Sequence, residues 1–182
     1  MTHLSDKELL EMFRSTETRH YAFSLIVRKY QERLYWQIRK LVIQHDDSDD
    51  VMQNTFMKVW GGLDGFREDS QLFTWLYRIA TNEALTFLKK KKTKFMLPLV
   101  DFEQQLASTL ESSPHINGTE IQLSLQKAIL TLPEKQRIVF NMKYFEELKY
   151  EEISKILGTS VGALKASYHH AVKKIEKYFE ES

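Results

Sequence analysis

The 182-residue chain has no cysteine, only three prolines and six glycines, and almost no net charge, formally +1. The missing cysteine excludes disulfides, thiol catalysis and cysteine-ligated zinc, and it suits a reducing compartment. So little proline and glycine leaves few turn signals and favours long helices. The near-neutral total excludes a uniformly cationic nucleic-acid binder, so any DNA contact must come from local basic patches offset by acidic stretches. No apolar run approaches the ~20 residues that span a bilayer. The opening MTHLSDKELLEMF has no basic region leading into an apolar run, so no signal peptide is read and a cytoplasmic protein is expected.

What remains is globular: 42% hydrophobic and 28% charged residues, enough for two small helical domains. The pattern predicts an all-α chain in three parts: a helical segment 1–94, a linker 95–119 and a helical segment 120–182. Ser5 with Glu8 reads as a capping box. Tyr21, Leu25, Ile26, Tyr30, Leu34, Ile38, Leu41 and Val42 form one apolar helical stripe. Asp46 to Asp50 then suit the positive end of a helix dipole. The stripe of that helix is Val51, Thr55, Phe56, Val59 and Trp60, with Gly61-Gly62 expected to end it. A loop from Leu63 to Gln71 leads to a long helix with Trp75, Leu76, Ile79 and Phe87 expected in the core. Ser112-Ser113-Pro114 and Asn117-Gly118 mark the linker, with a short helical piece expected near Phe102 to Leu110.

The C-terminal segment carries the sharpest local signal. Ile121, Leu125, Ala128, Ile129 and Leu132 form a stripe, and Pro133 is expected at a first helical position before Glu134 to Tyr144. A helix from Tyr150 to Leu157 is stopped by Gly158, and Ser160 starts another. A short turn between two such helices is a helix-turn-helix signature. In the second helix Val161, Leu164, Tyr168, Ala171 or Val172, Ile175 and Phe179 are expected inside. Gly162, Lys165, Ala166, His169, His170 and Lys173 are expected outside. Small residues first and cations further on suit entry into a major groove. A plain helical hairpin with a solvated lysine face is the competing reading. Neighbouring histidines diverge by about 100° on a helix, so His169 and His170 are not expected to share a metal.

In the long N-terminal helix, Tyr77, Arg78, Thr81, Asn82 and Lys89 are expected off the core face. An exposed ring beside arginine and asparagine offers stacking and hydrogen bonds to an unstacked base. The run Lys89 to Lys92 offers phosphate contacts. Aromatics at helical spacing are also ordinary core residues, so the residues alone leave this open.

Three motifs in this order carry a resemblance. They are Asp49-Asp50-Val51-Met52-Gln53-Asn54-Thr55-Phe56 with Val59-Trp60; Phe66-Arg67 with Thr74-Trp75-Leu76-Tyr77-Arg78-Ile79-Ala80 and Asn82; and Leu132-Pro133-Glu134, Tyr150-Glu151-Glu152-Ile153 and Val161-Gly162. Over nearly its whole length the chain resembles the extracytoplasmic-function sigma factors of RNA polymerase. The resemblance implies sigma region 2 in 1–94 and sigma region 4 in 120–182, with no enzymatic activity, cofactor, metal or small-molecule substrate. It implies that Asp49, Asp50, Gln53 and Asn54 face the β′ clamp helices of core polymerase. Phe66, Arg78 and Asn82 would line a pocket for a flipped −10 base, and Lys165, Ala166, His169 and His170 would face the −35 groove. It implies as partners core polymerase, through the clamp helices and the β flap, promoter DNA, and an anti-sigma factor that is often membrane-bound. Ser167, His170 and Ala166 depart from the usual residues of the family, and Lys149 stands where a capping serine is common, so the −35 sequence does not transfer and that helix start is expected to be less well capped. Two other classes compete with this reading. A helix-turn-helix regulator with an N-terminal effector or dimerisation domain leaves the Asp49–Trp60 match unexplained. An enzyme with a hard-metal site at Asp46 to Asp50 fails because successive helical side chains do not converge, and no phosphate loop or activated nucleophile is present.

Overall fold

The computed structural model describes residues 4–95 and 120–181. These residues form eight α-helices and one 3₁₀ turn, with no strand among them. The helical piece expected near Phe102 to Leu110 lies outside the described residues. The chain divides into two compact units, Met1–Phe87 and Leu88–Ser182, a division that falls within the fourth helix.

In the first unit, α1 (Asp6–Arg14) opens on the expected capping box. Glu8 N–H donates to Ser5 Oγ at 3.3 Å, and Ser5 N–H donates to the Glu8 carboxylate at 2.7 Å. α2 (Arg19–Val42) buries Ala22, Leu25, Ile26, Tyr30, Leu34, Ile38 and Leu41 at helical spacing. Tyr21, expected in that stripe, is 61% exposed: it is one position before Ala22, on the solvent side. α2 ends at Ile43, which adopts φ 72°, donates its N–H to Arg39 O at 2.9 Å and buries its side chain.

α3 (His45–Gly62) begins with Asp46 and Asp47 in its first turn and turns Ser48, Val51, Thr55 and Val59 inward. The α-helix ends at the glycine pair as expected, but without a left-handed glycine: Gly62, at φ −102°, passes the chain into the 3₁₀ turn Leu63–Gly65. Gly62 serves close approach instead: a Cβ there would lie 3.2 Å from Cζ2 of Trp75. α4 (Leu72–Phe95) buries Leu72, Phe73, Leu76, Tyr77, Ala80, Thr81 and Ala84. Trp75, Ile79 and Phe87, expected in the core, are only half-buried. The true inner face contains alanines and a threonine, so weighting large apolar side chains rotated the expected face by about one residue.

In the second unit, α5 (Glu120–Leu130), α6 (Glu134–Tyr144), α7 (Tyr150–Leu157) and α8 (Val161–Glu181) enclose Ala128, Ile129, Leu132, Phe140, Ala171 and Ile175. Ile121 and Phe179, both expected inside, are 74% and 42% exposed; Ile121 is the second residue of its helix and Phe179 lies two residues from the end of its own. Pro133 sits one position earlier than expected, as the N-cap of α6. Its carbonyl accepts the Arg137 N–H at 3.0 Å. Phe140 stacks between Tyr144 and Tyr168, at 5.1 Å and 14° and at 5.8 Å and 17°.

Candidate polymerase and promoter interfaces

Three rows of exposed side chains stand out on these helices. On α3, Asp46, Asp49, Asp50, Gln53, Asn54 and Met57 are all solvent-facing. Their spacing puts them on one face, opposite Ser48, Val51, Thr55 and Val59. The four residues singled out in the sequence are therefore neighbours on a single acidic-to-amide surface. At its start, His45 Nδ1 lies 3.4 Å from the Asp49 carboxylate and 2.9 Å from the Tyr35 hydroxyl.

On α4, Arg78 and Asn82 are exposed one turn apart, and Thr86 and Lys89 continue the row. Phe66 is not part of it. Its ring is 7% exposed and packs on Trp75 at 5.2 Å. Tyr77, expected to offer an open ring, is fully buried and packs on Phe73 at 5.0 Å, while Thr81 turns its hydroxyl back to the Tyr77 carbonyl at 2.8 Å. Among the described side chains of α4, the exposed row is therefore hydrogen-bonding and cationic, without a stacking ring. The 63–71 segment before α4 is pinned from outside. Arg14 pairs with Glu68 at 2.6 Å, and Arg19 pairs with Asp64. The Arg19 hydrogen bond holds the Asp64 carboxyl below its usual range.

The helix-turn-helix forms as the sequence predicts. Gly158 takes φ 64° and donates its N–H to Ser154 O at 2.8 Å; Ser160 Oγ accepts the Ala163 N–H at 3.4 Å. Lys149 has no capping oxygen, but Glu152 returns a carboxylate to the Lys149 N–H at 2.8 Å, which supplies half of a capping box. On α8, Gly162, Lys165, Ala166, His169, His170 and Lys173 are all exposed on one side. The two histidine rings are 6.0 Å apart and tilted, and no group of three or more metal-ligating residues occurs among the described residues.

Sequence reasoning missed one feature here. Tyr150 is half-buried, with the ammonium groups of Lys143 and Lys165 at 5.2 and 5.8 Å from its ring centroid. Lys143 is held in place by the Leu148 carbonyl at 3.2 Å. No periodicity links these three residues, because they come from three helices. Among the described residues no helix is long and apolar enough to cross a membrane.

Two family models match the chain. Sigma-70 region 2 matches residues 26–94 and Sigma-70 region 4 matches residues 122–175, so the two helical modules are those of the sigma-70 class. The chain is 31% identical to the ECF RNA polymerase sigma-E factor of Escherichia coli K12, over 95% of this chain and 93% of the relative. It is 30% identical to the RNA polymerase sigma-H factor of Pseudomonas aeruginosa, over 97% and 95%, and 29% identical to the ECF RNA polymerase sigma factor SigW of Bacillus subtilis, over 88% and 90%. The chain belongs to the extracytoplasmic-function (ECF) family of RNA polymerase sigma factors. Its fold is shared by solved structures, among them the following two. CnrH in complex with the cytosolic domain of CnrY has a TM-score of 0.68 at 21% identity, covering 97% of this chain and 99% of that one. The sigma factor RpoE in complex with the anti-sigma factor NepR from Bartonella quintana has 0.67 at 22%, covering 87% and 96%. The helix-turn-helix regulator reading is set aside, since the region 2 match covers the segment it leaves unexplained.

Proposed function

We propose that this sigma factor directs promoter-specific initiation through the three exposed rows, one for each partner surface. Asp49, Asp50, Gln53 and Asn54 dock on the β′ clamp helices of core polymerase. Arg78 and Asn82 hold a flipped base of the −10 strand, and Phe66 walls that pocket from within through Trp75. Lys165, Ala166, His169 and His170 enter the −35 major groove, while the second module also meets the β flap. The chain contributes binding free energy and no catalytic step. A base captured outside the stack stabilises the open bubble, so capture itself shifts the duplex toward melting without ATP.

The observation that carries the reading is the separation of duties on each helix: every residue assigned to a partner, Phe66 apart, is exposed, while the core is closed by other residues. The domain division 1–94, 95–119 and 120–182, the cytoplasmic location and an anti-sigma partner that covers both DNA faces belong to the same reading. Two of the solved neighbours are complexes, the sigma factor RpoE with the anti-sigma factor NepR and CnrH with the cytosolic domain of CnrY, which supports that last element. The test is reconstitution with core polymerase lacking any other specificity subunit, followed by sequencing of transcripts made in vitro. A discrete promoter set that vanishes with a D49K/D50K variant is expected. Tight duplex binding by the free chain, with no polymerase association, would overturn the reading.

A further inference from the structure

The α3 and α4 rows belong to different proposed tasks, yet one contact joins the helices between them. Lys58 follows Asn54 by one turn on α3, and Glu83 follows Asn82 directly on α4. Lys58 Nζ lies 2.5 Å from Glu83 Oε1. The Glu83 side chain is 13% exposed against 62% for Lys58, so the lysine reaches in from solvent to a largely enclosed carboxylate.

The position of this pair along α4 matters. The first turns of α4 are gripped by large groups. Phe73 packs on Tyr30 at 6.2 Å and lies beneath the Arg33 guanidinium at 3.9 Å, and Trp75 closes over Gly62. Between the buried Tyr77 and Leu88, where Asn82 projects, the buried side chains are Ala80, Thr81 and Ala84. Small residues let helices approach closely but offer no knob that opposes rotation or sliding. An ionic contact at Glu83 supplies directional restraint there. It also fixes the azimuth of Asn82, since adjacent helical residues are rigidly offset by about 100°.

We infer that Lys58 and Glu83 are positioning residues that couple polymerase docking on α3 to base capture on α4. Immobilising α3 against a partner immobilises Lys58, and through Glu83 it sets the part of α4 that presents Arg78 and Asn82. The inference rests on the functional reading above, because it needs the two faces to have those two partners. Lys58 and Glu83 touch neither DNA nor polymerase in this scheme.

The test uses full-length chain reconstituted with core polymerase, each variant at saturating polymerase: E83Q, E83K and the charge swap K58E/E83K. Open-complex formation is timed on linear duplex and on a template already unpaired at −10, and core affinity is measured by competition. E83Q keeps the side-chain volume, so it reports loss of the pair even if E83K perturbs folding. On duplex, E83Q should be roughly threefold slow and E83K about tenfold slow, with the swap recovering to within about threefold of wild type, as expected for a contacting pair. On the unpaired template all should agree within about twofold, and E83Q and E83K should keep wild-type core affinity. A wild-type duplex rate for both E83Q and E83K, a swap no better than E83K, or an equal defect on the unpaired template would each overturn the coupling. A wild-type chain that fails to bind core polymerase would overturn the functional reading itself, and the coupling with it.

Discussion

Replacing Asn82 with alanine separates folding from function because the two effects carry opposite signs. Asn82 is exposed in the interior of α4, and its side chain makes no hydrogen bond to another described residue. Its removal therefore costs the fold nothing and improves helix propensity by about 0.5 kcal/mol, or roughly 2–4 °C in Tm for a unit of this size. If the amide reads a flipped base, the same change removes about 1–3 kcal/mol of discriminating hydrogen bonding. That is roughly five- to 150-fold in the equilibrium between closed and open complex. The assay is open-complex formation on linear duplex by fluorescence at the −10 position, beside the same measurement on a template already unpaired there. Binding before melting should be unchanged, the duplex rate should fall, and the unpaired template should lose much less. An unchanged duplex rate would refute the assignment. A lost rate accompanied by a lower Tm would show that Asn82 supports the helix rather than the strand.

Tyr30 donates to Asp6 Oδ1 at 2.6 Å, and Lys29 reaches the same oxygen at 2.8 Å. Burial first, and that hydrogen bond second, raise the Tyr30 pKa well above its usual value. The folded state thus keeps a proton that the unfolded chain loses near pH 10, and stability present below that pH declines as pH rises beyond it. Tyr30→Phe should lower neutral stability by about 1 kcal/mol and flatten the alkaline decline, read by thermal denaturation between pH 8 and 11. Gly62→Val should displace the Trp75 indole, cost about 1–3 kcal/mol and shift tryptophan emission, since a Cβ already meets that ring at 3.2 Å. Tyr150→Leu should weaken holoenzyme binding to −35 DNA roughly two- to fivefold whatever the sequence, and Tyr150→Phe should not, because the ring holds Lys143 and Lys165.

The parts of the fold legible in the sequence were those specified locally. The Ser5–Glu8 box, the Gly158 stop and the Ser160 start depend on residues within a few positions of one another, and each forms as expected. The exposed row on α8 was legible for the same reason, since periodicity separates it from the core, whereas the row on α3 was singled out by the family resemblance. What failed depended on neighbours far along the chain. Tyr77 is buried because α4 is inserted deeply at that turn, and Gly62 is small because Trp75, thirteen positions on, needs its space. Ile121 and Phe179 fit the period of their helices but lie beyond the ends of what those helices cover. The Lys143–Tyr150–Lys165 cluster and the Lys58–Glu83 pair have no sequence signature, because each joins separate helices.

Ile43 has a consequence for the whole first module. A β-branched residue at φ 72° has no local preference for that backbone, unlike a glycine. A γ-turn closes there, with Gln44 N–H donating to Val42 O at 2.9 Å, and the Ile43 side chain is 2% exposed, so the elbow from α2 to α3 is maintained by packing together with that turn. The direction in which the acidic row points is thus inherited from the interior. Substitutions deep among Leu34, Ile38 and Val51, far from any partner, would re-aim that row, and a hunt for polymerase-binding mutants would recover core positions alongside surface ones.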